Sequence, residues 1–402
     1  MRNLAGRRAR FVAALVFSSP IVGSAVTIPE QRPPRAAPPA PVEIRQAWRV
    51  TLPLRTIDRV TAYHLLDGII YAVVSNGSVH AVQADTGRIL WSRALVKPPG
   101  VVYPPFIHYS PEFYGVGFTL AHEVVLLDPQ TGSEYKRMLL EKPAVASAAS
   151  MADTIFSAEA DRHCAAYQLK DLYQRWHIVT TGPITVPPIF LNDLQTVFLT
   201  DASGDYAMLW ASDREVVYHH RLGGAATGPV ALDNQYFYIA TSDNLLNCID
   251  KLTGAVRWQF RLPTRPQGGP ILVNGNIYQA LSGGGIQRIG KEPGRPNWLH
   301  ADGTRFLSEW NGRVALLDKV GRISVVDSVT GEFVGSVPTD GLTDGIPNPV
   351  NSALLLTSAA GEMRCLQPPG SDAASLARFR PPTTQPTTRP SDPPALVRPV
   401  KE

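Results

Sequence analysis

Apolar runs of five or six residues, each closed by turn-forming residues, fill the middle of the chain, and their order returns about every forty residues. Ile69-Ile70-Tyr71-Ala72-Val73-Val74 is one run, and Asn76-Gly77 after it is a hairpin signal. Ser78-Val79-His80-Ala81-Val82 follows, then the turn Asp85-Thr86-Gly87, then Ile89-Leu90-Trp91. The same order recurs through 236–240, Asp243-Asn244, 246–249, Thr253-Gly254 and 256–260. β-branched and aromatic residues in short runs with turn residues between them predict antiparallel strands. A strand-built repeat of this period predicts a propeller blade, a sheet that buries its faces only against its neighbours.

Ala81 anchors the alignment of the units. Its equivalents are Leu126, Ala166, Ala207, Cys248, Arg288, Val325 and Cys365, in steps of 45, 40, 41, 41, 40, 37 and 40. Eight units predict an all-β chain: an eight-bladed β-propeller of four-stranded antiparallel blades. Unit six departs, with Arg288 in a slot that elsewhere takes a small residue, yet Trp298 still stands ten residues after it, as Trp91 and Trp258 stand after their anchors. Gly283-Gly284-Gly285 has no following helix and no Lys-Ser/Thr pair, so it reads as a bent or bulged strand end. Unit eight stops at Gln367-Pro368-Pro369 without a Trp-bearing outer strand, whereas Ala47-Trp48-Arg49-Val50-Thr51-Leu52 matches that strand at the other end of the chain. The N-terminal segment is therefore expected to complete the last blade, which removes two open sheet edges.

The turn residues have mechanical roles. Gly87, Gly132, Gly254 and Gly331 supply the positive φ that closes each turn. The Asp and Thr side chains hold turn backbone groups. The Trp four residues past the Gly covers the seam between blades while its N–H finds a backbone acceptor. One carboxylate per turn is too few ligands for calcium.

Composition adds an address. Arg7, Arg8 and Arg10 precede an apolar stretch from Phe11 to Val22 that is too short to span a bilayer, and Gly23-Ser24-Ala25 offers a cleavage site. Residues 1–25 are expected to be a signal peptide, 26–42 a Pro-rich linker, 43–370 the propeller and 371–402 a disordered Pro/Thr-rich tail. No Cys follows the apolar stretch, so the expected location is the periplasm or cell envelope without a lipid anchor and with no transmembrane segment after cleavage. A net charge of +4, much of it in the chain ends, leaves no basic stripe for nucleic acid. Cys164, Cys248 and Cys365 are too far apart in sequence for a metal knuckle and read as buried thiols.

The pattern A-x-D-x-x-T-G-x-x-x-W resembles the tryptophan-docking repeat of the pyrroloquinoline-quinone (PQQ) propeller superfamily. The stretch Cys248 to Trp258 carries all but its first residue. Unit one keeps Ala81, Thr86, Gly87 and Trp91 with Gln83 departing, and unit seven keeps Asp327, Thr330 and Gly331 with Gly335 for the Trp. The resemblance covers roughly 43–368. The quinoprotein dehydrogenases of that superfamily imply PQQ with calcium, but their adjacent cysteine pair is absent and no carboxylate-rich insertion supplies a metal site and base. The BamB-type scaffolds of outer-membrane protein assembly are similar in length, export signal, single propeller and early Trp strand; this chain lacks their lipid-acceptor Cys. This resemblance implies a monomeric, non-catalytic scaffold for protein partners with no cofactor. The alternative is a PQQ-dependent dehydrogenase or a degenerate relative of one.

Catalytic signatures are missing: there is no G-x-S-x-G, no H-E-x-x-H and no phosphate-binding loop. His219 and His220 are strand neighbours pointing to opposite sides, a poor pair for one metal. His64, His80, His108 and His122 lie in strand patterns with no partnered carboxylate. The loops joining successive blades remain: 97–103, 182–188, 223–229, 263–270 and 341–349. They are rich in Gly and Pro, and two of them carry Tyr103 and Arg265, residue types favoured at binding hot spots and here the candidate partner-binding residues.

Overall fold

The computed structural model describes residues 42–369. The expected signal peptide, the tail and all of the linker but Val42 lie outside the described residues.

Those residues form eight four-stranded antiparallel sheets. Blades one to seven run through 60–94, 106–139, 149–179, 189–221, 231–261, 271–300 and 303–338, each with its strands paired in chain order from inner to outer. Blade eight takes Asp344–Ile346, Leu354–Thr357 and Glu362–Gln367 from the end of the chain and its outer strand, Arg45–Thr51, from the beginning. Trp48 faces Cys365 and Val50 faces Met363 across that joint. The expected closure by the Trp48 segment is the one observed.

Eight apolar clusters fill the eight seams between blades. Alternate residues of one strand feed opposite seams. Ile70, Ala72 and Val82 pack with Trp48 and Cys365 of blade eight, while Tyr71, Ala81 and Trp91 pack with Phe118, Val125 and Leu127 of blade two. A strand covered on both faces needs apolar side chains on both, so all of Ile69–Val74 is buried. This is why the sequence shows apolar runs in place of a strict polar–apolar alternation.

The anchor residues face the Trp position across the third and fourth strands. Ala81 pairs with Trp91, Leu126 with Lys136, Ala166 with Trp176, Cys248 with Trp258, Arg288 with Trp298 and Val325 with Gly335. Arg288 thus occupies the slot assigned to it, and its side chain is buried. Blade four corrects the alignment. Met208 faces Tyr218 there, whereas Ala207 faces His219 and is half-buried. The steps around it become 42 (166 to 208) and 40 (208 to 248). Small size was the wrong guide, because flexible Met fills the same slot where the facing ring is Tyr.

One contact repeats around the ring. The indole N–H of Trp48 donates to the Ala84 carbonyl at 3.0 Å, Trp91 to Pro129 at 2.9 Å, Trp176 to Ala211 at 3.0 Å, Trp258 to Lys291 at 3.1 Å and Trp298 to Ser328 at 2.9 Å. Blades two and four have no Trp there, yet Lys136 Nζ reaches the Lys170 carbonyl at 3.4 Å and the Tyr218 hydroxyl reaches Lys251 at 3.2 Å. Only Gly335 of blade seven has no side chain to send across. Every acceptor lies in the turn between the third and fourth strands of the next blade. The Asp of that turn is spent inside it: Asp250 Oδ1 accepts from Leu252 N, Thr253 N and Thr253 Oγ1, and Asp128 and Asp327 repeat the arrangement.

Gly283, Gly284 and Gly285, at φ of +84°, +97° and +116°, make a complete turn between Asn276–Ala280 and Ile286–Gly290, where a bent strand end was expected. Three consecutive positive φ values are open to glycine alone.

The propeller has two distinct faces. On one, the loop face, each inter-blade loop bonds to the turn joining the second and third strands, as Leu95 N does to Gly77 O and Leu262 N to Asn244 O. On the other, the turn face, the two remaining turns of a blade meet, as Ala84 N does with Gly68 O and Ser328 N with Gly312 O. Leu52 N bonds Gly361 O on the loop face, so Arg45 and Gln367, paired at the far end of the same two strands, lie at the turn face.

Candidate interaction surface

The loop face has a repeat of its own. Single antiparallel bridges pin five inter-blade loops into the sheets: Val102 to Leu120, Ala144 to Glu159, Ile184 to Asp201, Ala226 to Thr241 and Pro266 to Leu281. Each bridging residue plugs the top of a seam. The residue before it stands at an equivalent place in each of these five seams: Val101, Pro143, Pro183, Ala225 and Arg265. All are exposed except the half-buried Ala225. Proline and bridge together hold these loops in one conformation, which lowers the entropy lost when a partner binds. The loop expected over 341–349 is shorter in fact, since Asp344–Ile346 is the inner strand of blade eight.

Arg265 is an exposed member of that ring. Its backbone carbonyl accepts from Ser282 N at 2.7 Å, and no ion pair among the described residues engages its guanidinium. Tyr103 follows the equivalent bridge four seams away, so the two candidates share a face and stand on opposite sides of the ring. The Tyr103 ring is half-buried against the cluster of the second seam, and its hydroxyl donates to the Ala144 carbonyl at 2.8 Å. Burial raises its pKa. Tyr103 ties one inter-blade loop to the next, and the Ser147 hydroxyl repeats the stitch to Pro104 O at 2.7 Å.

The seam between blades six and seven lacks such a plug. There the chain passes from Pro296–His300 to Gly303–Trp310 through Ala301 and Asp302 alone. A cavity of about 510 Å³ lies beside this joint, lined by Gln267, Ile271, Tyr278, Arg305, Phe306 and Pro347 among others. Arg305 pairs with Asp344 at 2.8 Å near its mouth.

Two histidines contact serine hydroxyls. His80 Nδ1 lies 2.6 Å from Ser92 Oγ, directly across the strands, and His108 Nδ1 lies 2.5 Å from Ser150 Oγ. A serine nucleophile needs a basic imidazole oriented by a third group. Burial instead lowers the pKa of His80 and holds that of His108 down to about 4, and no carboxylate contacts either ring. These pairs satisfy buried polar atoms. His64 is half-buried, and desolvation holds it down to about 4. His219 lies 3.8 Å from an Asp205 oxygen, while the His220 ring stacks on Tyr218.

Calcium beside a quinone takes about six to eight oxygen ligands, with carboxylates among them. Among the described residues no three of His, Cys, Asp and Glu come together to hold a metal. Cys164, Cys248 and Cys365 are buried single thiols in separate blades. The described residues thus offer no acidic cluster for that cofactor's calcium.

The family model described as outer membrane protein assembly factor BamB matches residues 75–225 and 195–346 of this chain. The crystal structure of BamB from Moraxella catarrhalis superposes with a TM-score of 0.62 at 17% identity, covering 81% of this chain and all (100%) of that one. The computationally designed Ika8 protein superposes equally well, with a TM-score of 0.62 at 14% identity, covering 80% of this chain and 99% of that one. At these identities the structural likeness shows the fold alone. No curated protein matches the sequence.

Proposed function

The chain belongs to the family of the outer membrane protein assembly factor BamB, and from that premise we propose that it is a non-catalytic, exported scaffold of the cell envelope that grips protein partners with its loop face. The observation carrying this reading is the ring of equivalent exposed positions Val101, Pro143, Pro183 and Arg265 on pre-ordered loops. Apolar groups with one arginine among them suit a partner that buries a small apolar patch and offers a carboxylate. Arg45 and Gln367 lie at the opposite face.

The test is capture from envelope extract by the full chain and by a Val101→Asp, Arg265→Glu double variant. Both residues are exposed, so the variant should melt as the parent does. A partner retained by the parent and lost by the variant supports the reading. Equal capture by both would overturn it. The described residues hold no acidic cluster for a quinone's calcium, and reconstitution with PQQ and calcium is expected to give neither a bound chromophore nor dye reduction.

A further inference from the structure

We propose that His163 and His177, on the outer hairpin of blade three, form a two-histidine site for a borderline divalent cation such as Zn²⁺ or Cu²⁺. The two belong to adjacent strands, His163–Gln168 and Tyr173–Val179, in which Ala165 pairs with His177 and His163 with Val179. The histidines therefore share one face of the sheet, one register step apart. Their ring centroids are 5.3 Å apart with planes tilted by 40°. Two imidazoles bound to one tetrahedral ion at the usual distance of about 2.1 Å place their centroids about 5.2 Å apart, so the rings already stand at a chelating separation. His177 is exposed and His163 half-buried, which leaves the pair open to solvent.

The hydrogen bonds fix which nitrogen of each ring is free. His163 Nδ1 lies 3.0 Å from the Asp161 carbonyl. A carbonyl only accepts, so Nδ1 carries the proton and Nε2 keeps its lone pair. For His177 the tautomer is set by a relay. Tyr167 donates its hydroxyl proton to Glu159 Oε1 at 2.7 Å, and that hydroxyl oxygen accepts from Glu141 N at 2.9 Å. With its one proton committed to the carboxylate, Tyr167 can offer Gln174 only a lone pair. Gln174 thus turns its Nε2 towards Tyr167 at 3.3 Å and its Oε1 towards His177 Nδ1 at 2.9 Å. His177 donates from Nδ1, and its Nε2 is free as well. The two Nδ1 bonds run in opposite directions along the hairpin, towards Asp161 in the preceding turn for His163 and towards Gln174 beside the hairpin's own turn for His177, with both rings between them. Histidines that donate Nδ1–H to an oxygen while presenting Nε2 have the arrangement that metal-binding imidazoles require. The remaining coordination positions would be filled by water or by a group of a bound partner.

Calorimetric titration of the full chain with Zn²⁺, free of any affinity tag, tests this. One binding event per chain is expected, weakened at least about tenfold in His163→Ala and in His177→Ala. Gln174→Ala keeps both ligands but frees the His177 tautomer, and a loss of about tenfold is expected from removing such a supporting group. His219→Ala should bind as the parent does. All four positions are at least partly exposed, and an unchanged melting temperature without metal confirms that each variant is folded. A parent that binds no zinc, or zinc binding that survives His177→Ala, would overturn the site; zinc affinity unchanged in Gln174→Ala would overturn the relay.

Discussion

At the scale of single residues, the docking of one indole on the next blade's turn is the recurring bond of this molecule, and it makes uneven demands on glycine. Gly132 has φ +68°, and a Cβ there would stand 2.7 Å from the Trp91 ring. Gly268 has φ +70° with nothing within 4 Å. Gly268→Ala should therefore cost only the conformational strain of about 1–2 kcal/mol, and Gly132→Ala clearly more, because the indole must also move. Urea midpoints of the two variants measure the difference, and equal midpoints would contradict the docking account. Trp91→Ala removes a side chain that is 8% exposed together with its bond to Pro129, for an expected loss of about 3–5 kcal/mol in the same assay. Buried imidazoles add a pH dependence. The ordinary His pKa is 6.5, while folding holds His108 down to about 4. Between those values the unfolded chain binds the proton and the folded chain does not, so stability falls as pH drops from 6.5 towards 4. The loss from this group reaches about 3 kcal/mol at most. His108→Gln should flatten that limb of the stability–pH curve; an unaltered limb would show that His108 is not its source.

Strands and turns were the most legible level of the sequence, for a physical reason. A strand buried on both faces is apolar almost throughout, and a turn with φ > 0 favours Gly or Asn, so the chemistry of Ile69–Val74 and of Gly254 announces their places. Trp176 was equally legible, ten residues after Ala166, but its turn reads Lys170-Asp171-Leu172 without the Thr-Gly signature. Leu172, at φ +57°, does there what glycine does elsewhere. The Met208 register was not legible, because a slot that accepts Ala, Cys, Leu, Val, Met and Arg is defined by its place opposite the docking residue and not by size. The inter-blade bridges and the His163–His177 pair were hidden for a further reason: both depend on cross-strand register, which one bulge between Ala166 and Tyr167 is enough to shift. The closing strand carries the prediction at this scale. Arg45–Thr51 supplies both the outer edge of blade eight and the Trp48 indole that docks on blade one. Deleting the chain up to Thr51 exposes the Glu362–Gln367 edge and unseals two clusters, those holding Trp48 and Ile44. The truncated protein should unfold at lower urea and associate through the bared edge. Sedimentation that finds it monomeric and fully stable would deny the strand its closing role.

Across the whole molecule, the separation of the two faces becomes a labelling experiment. The three cysteines are buried, and burial pushes the Cys248 and Cys365 thiols up to about 12 and raises Cys164 as well. A thiolate is the reactive form, so none of them should react with a maleimide while the protein is folded. A single Arg265→Cys change then creates one addressable thiol on the loop face, and Glu43→Cys creates one beside the outer strand's start on the turn-face side; both residues are exposed. A bulky maleimide adduct should block partner capture from the first position and leave it intact from the second, because only the first stands among the pre-ordered loops. The comparison holds adduct size constant and varies the face, and each unlabelled Cys variant controls for the charge its substitution removes. Capture blocked equally from both positions would mean that the partner wraps the rim or grips the turn face, and the loop-face reading would then fail while the ring of eight blades stood unchanged.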